Sequence, residues 1–299
     1  MNLTRRTFFK VTAVGATALA GAAKAEAATA TAAEDARGVL VDTTRCVGCR
    51  ACEAACAEAN ALAGPAMQGD DGVFALRRAT DQNTFTVVNR YPGGRDQERF
   101  IKTQCMHCVD AACAAACPVR ALEKTAAGPV TYTGSRCLGC RYCMLACPFG
   151  IPKFQYDDPT PYVRKCTFCV ERQEEGLPPA CAEVCPGGAL SFGRRDALIE
   201  EAKIRIYQNP DKYVHHVYGE HEAGGTSWLY ISDVPLDQLG LPGGVEDTPY
   251  PQLASTALAA VPMILTLWPP ILMGLRAITC RRDSQPETAE SRNEGGRHD

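Results

Sequence analysis

Sixteen cysteines set out as four quartets are the residues of this chain whose type and spacing carry chemistry. The first quartet is Cys46, Cys49, Cys52 and Cys56, and the second is Cys105, Cys108, Cys113 and Cys117. The third is Cys137, Cys140, Cys143 and Cys147, and the fourth is Cys166, Cys169, Cys181 and Cys185. The first and third read C-x2-C-x2-C-x3-C; the second widens its middle gap to x4 and the fourth to x11. Each has a tight opening pair, a third cysteine, and a fourth separated from it by three residues. Such density means either disulfides or metal.

Spacing decides for metal, and for iron–sulfur clusters. A cubane core needs four thiolates around one compact centre. A C-x2-C-x2-C loop wraps three corners. The fourth cysteine, about one helical turn past the third, points toward a second cluster, as in two-cluster ferredoxins. Gly48 and Gly139 lie inside their loops, where backbone must pass close to the core. Pro118, Pro148 and Pro186 follow the fourth cysteines and stop the short helices there, whereas Cys56 is followed by Ala57. Zinc sites usually come as two pairs across a spacer, not as four cysteines within the eleven residues of Cys46–Cys56. A disulfide framework would need eight bridges, and the tight loops crowd their neighbours too closely for that. No C-x2-C-H occurs, which excludes covalent c-type haem. The expectation is four [4Fe–4S] clusters with all sixteen cysteines as iron ligands. Clusters with four thiolates are coordinatively full and suit one-electron transfer, not catalysis. The chain also lacks a G-x-G-x-x-G fingerprint, a P-loop and a serine-nucleophile elbow.

The elements that must position these loops are short. β-like runs precede them at Val39–Val41, Phe100–Lys102 and Val130–Tyr132, and helical pieces follow at Arg50–Glu58 and Arg141–Ala146. Ala189–Phe192 reads as a closing strand and Arg195–Tyr207 as an amphipathic helix. An insertion between Ala57 and Ile101 holds a predicted strand, Thr84–Asn89, and a Pro92-Gly93-Gly94 turn. The cluster domain is expected over 36–200. An extension over 201–247, rich in Tyr, His, Gly and Pro from 208 on, is expected to dock on that domain or on a partner.

Both ends carry addresses. Arg5-Arg6 precedes an apolar run, Val11 to Ala23, and small-residue cleavage sites at Ala23 to Ala27, so residues 1–27 read as a twin-arginine signal peptide. No residue from Thr248 to Leu275 is charged, and about 20 apolar residues suffice to cross a bilayer. Residues 250–279 are read as a transmembrane helix, against the alternative of a segment buried on a partner at the membrane surface. Pro262, Pro269 and Pro270 should kink it. Arg276, Arg281 and Arg282 then put the C-terminus in the cytoplasm and the globular part on the periplasmic face. The polar tail, 280–299, is expected to be disordered. A formal net charge of −3 gives no sign of nucleic acid.

Other residues invite functional readings beside plain ones. His107, between Cys105 and Cys108, is either a hydrogen-bonding tuner of a cluster or a surface histidine. Arg50 and Arg141 either soften cluster charge or are ordinary surface cations. His215, His216 and His221 read as loop or docking residues, and Cys280 as an unpaired thiol past the span. The span has no His for haem b and no charged residue before Arg276 for quinone chemistry, so quinone exchange should belong to a separate membrane subunit.

Four quartets with long spacing only in the last resemble the four-cluster electron-transfer subunits of membrane oxidoreductases, the formate dehydrogenase and dimethyl sulfoxide reductase type. Gln104 to Asp110, Cys137 to Pro148, Gly176-Leu177-Pro178, Tyr218-Gly219-Glu220 and Gly224-Gly225-Thr226 are most similar to the subunit of hydrogenase-2 type [NiFe] hydrogenases. The likeness covers about residues 36–245 and both ends. It implies an α+β fold of two pseudo-symmetric ferredoxin-like halves with insertions. It implies crossed ligation: Cys46, Cys49, Cys52 with Cys185; Cys166, Cys169, Cys181 with Cys56; Cys105, Cys108, Cys113 with Cys147; Cys137, Cys140, Cys143 with Cys117. It implies hydrogenase small and large subunits, or a molybdopterin catalytic subunit, as partners on one side and a multi-helix quinone-reactive membrane subunit on the other.

Overall fold

The computed structural model describes residues 35–63, 71–93 and 97–283 of the chain. The expected signal peptide and residues 284–299 of the expected tail lie outside them. In chain order, β1 (Arg37–Asp42) leads into the first cysteine loop and α1 (Ala51–Ala59). The hairpin of β2 (Val87–Pro92) and β3 (Glu98–Thr103) delivers the chain to the second quartet and α2 (Ala112–Ala115). β4 (Leu122–Lys124) and β5 (Val130–Tyr132) precede the third quartet and α3 (Tyr142–Ala146). β6 (Lys153–Phe154) and β7 (Val163–Arg164) precede the fourth, which carries α4 (Val170–Glu174) and α5 (Ala180–Glu183). β8 (Leu190–Arg194), α6 (Arg195–Gln208), β9 (Trp228–Ile231) and α7 (Tyr250–Asp283) complete the chain. The architecture is a mixed one of helices and small sheets, α+β, with the cysteine loops between them.

β1 is an uninterrupted buried run from Gly38 to Asp42, the pattern of a strand covered on both faces. It is the middle of a three-stranded sheet, antiparallel to β8 (Val39 opposite Phe192) and parallel to β9 (Val39 opposite Trp228). Trp228, Leu229, Tyr230 and Ile231 are all fully buried, so the 201–247 segment supplies part of the core. α6 covers this sheet through Leu198, Ala202 and Ile206, one residue every four along a single face.

The insertion strand runs Val87–Pro92 instead of the expected Thr84–Asn89. Asp81 and Thr84 exchange backbone hydrogen bonds and the Asp81 carboxylate accepts from the Asn83 amide, so residues 81–84 are spent in a turn. The proline pattern acts as expected. α2, α3 and α5 stop before Cys117, Cys147 and Cys185, whereas α1, with Ala57 after its cysteine, runs through Cys56 to Ala59.

By internal contacts the chain divides into Met1–Gln252 and Leu253–Asp299. α7 supplies the described part of the second unit. Its stretch Tyr250–Arg276 has a mean hydropathy of 1.8, is long and apolar enough to cross a membrane, and none of its described side chains is buried. At 1.5 Å per residue it reaches about 40 Å, against a hydrocarbon core of about 30 Å.

Candidate metal centres

The four C-x-x-C loops share one backbone feature. The residue before the second cysteine is left-handed: Gly48 at φ 71°, His107 at 48°, Gly139 at 74° and Phe168 at 59°. This conformation aims backbone amides at sulfur. The Gly48 amide donates to Cys46, and the Phe168 amide donates to the Cys166 sulfur at 3.4 Å. Other sulfurs are served likewise, Cys117 by the Ala121 amide at 3.2 Å and Cys147 by the amides of Phe149, Gly150 and Ile151. Gly48 has a second reason to be glycine, since a Cβ there would lie 2.5 Å from the Phe100 ring.

Grouped by the expected ligand sets, the sixteen thiols fall into four neighbourhoods. Cys46 neighbours Cys185 and Cys49, and Cys52 neighbours Cys181 and Cys46. Cys56 feels Cys181 and Cys169, and Cys166 feels Cys56 and Cys181. Cys108 feels Cys105, Cys147 and Cys113. Cys143 feels Cys137, Cys140 and Cys117. The last cysteine of each quartet thus stands with another quartet's loop. The packing of α1 on α5 and of α2 on α3 is what carries Cys56 and Cys117 across. Three further pairings join one neighbourhood to the next: Cys52 with Cys181, Cys166 with Cys105, and Cys113 with Cys143. Taken by the expected sets, the neighbourhoods connect in series, with the exposed thiols Cys49 and Cys140 in the two terminal ones.

The donor set fits an iron–sulfur cluster better than a single ion. All sixteen cysteines are free of disulfides. Among the described residues no three His, Cys, Asp or Glu side chains converge as one metal ion would require. Thiolates on one zinc approach to about 3.8 Å, whereas an inorganic cubane holds its four thiolates on separate corners. Burial pushes the Cys46 and Cys143 thiols up to about 11 and the Cys56 and Cys113 thiols up to about 12. Bound iron would deprotonate such thiols outright.

Three buried or half-buried lysines stand among the thiols, and none was singled out in the sequence. Lys165 donates to the carbonyls of Val130 (2.5 Å) and Cys166 (3.1 Å), and Lys124 to that of His107 at 3.0 Å. Lys102 donates to Gln104 Oε1 at 2.8 Å and lies 4.3 Å from the centre of the Trp228 ring. Burial alone would push the Lys102 ammonium down, yet Cys181, Cys52, Cys166 and Cys56 hold it above the ordinary lysine value. Only the β3 register tells that Lys102 points inward.

His107 is not a surface residue. It is 1% exposed, its Nδ1 accepts the Val130 amide at 2.9 Å, and its ring packs on Phe168 at 4.8 Å. Burial, then Lys165 and Lys124, hold its imidazole well below the usual histidine range, so it is neutral. Arg50 is no surface cation either: it is buried and paired with Glu53 at 3.0 Å. Arg141 is exposed, over the rings of Phe154 and Tyr156. His216 pairs with Glu222 at 2.6 Å, and among the described residues no third His, Cys, Asp or Glu joins them as a metal site. The side chain of Cys280 lies outside the described ones.

Comparison with known proteins gives the arrangement its family. Residues 97–195 match the 4Fe–4S dicluster domain. The hydrogenase-2 operon protein HybA of Escherichia coli O157:H7 is 37% identical over 277 residues, covering 80% of this chain and 84% of HybA. The chain belongs to the ferredoxin-like 4Fe–4S electron-transfer subunits of membrane oxidoreductases. The iron–sulfur subunit of the nitrate-inducible formate dehydrogenase of Escherichia coli K12 is 34% identical, covering 68% of this subunit and 71% of its own length. A protein of Nitratidesulfovibrio vulgaris is 50% identical over 89% of this subunit and 73% of its own length.

Proposed function

We propose that this subunit carries four [4Fe–4S] clusters in series and relays single electrons between a periplasmic [NiFe] hydrogenase and a quinone-reactive membrane subunit. The observation that carries the reading is the serial order of the four thiol neighbourhoods, with an exposed thiol in each terminal one. The ligand sets are the crossed ones: Cys46, Cys49, Cys52, Cys185; Cys166, Cys169, Cys181, Cys56; Cys105, Cys108, Cys113, Cys147; Cys137, Cys140, Cys143, Cys117. Bound there, the clusters supply one-electron redox steps. The chain's own part is to hold the thiols and donate amides to their sulfurs. The common left-handed turn in all four loops supports two pseudo-symmetric ferredoxin-like halves.

The hydrogenase partner is supported by the likeness to HybA over most of both chains. The likeness to formate dehydrogenase subunits favours a second reading, the same relay for a molybdopterin enzyme. The export motif at Arg5-Arg6, the apolar helix α7 and the arginines after it support a periplasmic location with the C-terminus in the cytoplasm. Iron and sulfide analysis of the purified full chain should give about sixteen irons, with EPR signals on reduction. Zinc without sulfide would refute the relay. Co-purification from membranes should bring a [NiFe] subunit; a molybdopterin subunit in its place would decide for the second reading.

A further inference from the structure

Lys102 is set apart from the other cations near the thiols by how few partners it has. It projects from β3 into the interior and is 3% exposed. No carboxylate lies within ion-pair distance of it among the described residues. An ammonium has three N–H donors. One goes to Gln104 Oε1, and the face of Trp228 takes part of the remainder. Gln104 is itself fixed: its amide nitrogen donates to the Tyr230 hydroxyl at 2.7 Å, and that hydroxyl donates back to the Lys102 carbonyl at 3.0 Å. The closed ring leaves Oε1 as the atom Gln104 offers to the lysine. Lys124 and Lys165, in contrast, each donate to two backbone carbonyls.

Beyond Gln104 and Trp228, the polar groups placed near the ammonium are thiols. Lys102 lines one cavity with Cys46, Cys49, Cys52 and Cys185. The thiols that act on it, Cys52 and Cys56, Cys166 and Cys181, come from two adjacent neighbourhoods of the series. A buried charge with no carboxylate partner is costly unless another anion answers it. Here thiols of two sites lie near it, and each site would be anionic with a cluster bound.

We propose that Lys102 is a positioning residue for electron transfer, one fixed positive charge shared by the site of Cys46, Cys49, Cys52 and Cys185 and the site of Cys166, Cys169, Cys181 and Cys56, which raises the reduction potential of both. The inference rests on the four-cluster reading. Each reduction at these two sites is the gain of one electron from an adjacent cluster or an external one-electron donor. No bond forms or breaks and no proton moves, because the lysine keeps its charge throughout. The charge favours the reduced state at both sites.

The test is an EPR-monitored redox titration of the full chain, with and without Lys102→Gln. The variant should hold its full iron while two of the four clusters become about tenfold harder to reduce, about 59 mV each. The other two should stay in place, and Lys203→Gln, which removes an exposed cation on α6, should move none. Full iron with all four potentials unchanged would overturn the inference. If Lys102→Gln loses iron, Lys102→Arg decides: full iron with parental potentials supports the charge, and loss in both variants overturns it in favour of packing. An iron count far below about sixteen in the unaltered chain would instead overturn the four-cluster reading, so the two failures are distinct.

Discussion

Replacing Glu53 by Gln should loosen the first cysteine loop more than any other single polar change in it. Glu53 lies between Cys52 and Cys56 on α1 and its side chain is 1% exposed. Its Oε2 accepts from Arg50 Nε at 3.1 Å and Nη2 at 3.0 Å and from Arg78 Nη1 at 3.1 Å. Its Oε1 accepts from the Val88 amide at 2.6 Å and from Arg78 Nη2. The carboxylate thus ties the loop, through Arg50 at φ 61°, to β2 of the insertion. Gln keeps the shape but removes the charge. Arg78 is 24% exposed and can turn to water, whereas Arg50 at 3% cannot. Taking one partner from a buried ion pair costs about 3–5 kcal/mol. At about 2–4 °C per kcal/mol for a domain of this size, the melting midpoint should fall by roughly 6–20 °C. The assay is thermal melting of the cluster-loaded full chain, followed by visible absorbance so that cluster loss and unfolding are read together. Removing Arg50 as well, as Arg50→Met with Glu53→Gln, should recover part of the loss, because a buried pair replaced whole is often neutral. A Glu53→Gln midpoint within about 2 °C of the parent, under 1 kcal/mol, would refute the assignment of this carboxylate as the anchor.

The other expectations are narrower. Gly48→Ala and Gly139→Ala should each cost about 1–2 kcal/mol for a left-handed alanine. Gly48→Ala should cost about 1–3 kcal/mol more for overpacking, since its Cβ falls 2.5 Å from Phe100 while that of Gly139 falls 3.7 Å from Phe154; equal melting midpoints would contradict this. Cys185→Ser should perturb the same EPR component as Cys49→Ser, and Cys181→Ser the same component as Cys56→Ser, although Cys181 and Cys185 are sequence neighbours. A common effect of Cys181→Ser and Cys185→Ser on one component would refute the crossed sets. Truncation after Gln252 removes most of the apolar stretch Tyr250–Arg276 and should move the protein from the membrane to the soluble fraction; retention in membranes would assign anchoring elsewhere.

What could be read from sequence follows how local each feature is. β5 lies at Val130–Tyr132 as expected, and α1 and α3 fall within a residue or two of expectation, because each is fixed by a short apolar run and the cysteine turn beside it. The strand expected at Thr84 slipped by three residues because the Asp81 turn and the pairing of Val87 with Thr103 set its register. Neither is visible in β propensity. The parallel pairing of β9 with β1 joins residues nearly two hundred positions apart, and no local pattern announces it. The burial of Lys102 is illegible for the same reason, and His107 admits both a tuning and a surface reading. A lysine reads as solvent-facing and a histidine as ambiguous until Trp228, Tyr230 and Phe168 close over them.

The four left-handed turns show how one local rule can be met by different residues. In the terminal neighbourhoods the position is Gly48 or Gly139, and the space beside it is taken by a ring from elsewhere, Phe100 or Phe154. In the two middle neighbourhoods, joined through Cys166 and Cys105, the position is Phe168 or His107, and these two rings stack on one another at 4.8 Å. A bulky residue at positive φ costs about 1–2 kcal/mol, a cost that fully burying an aromatic ring can offset. Phe168 and His107 are each 1% exposed. Each turn therefore has an aromatic ring against it, supplied by its own residue where two loops meet and by a distant strand where a loop faces outward. Glycine spacing alone would have found only the outer pair.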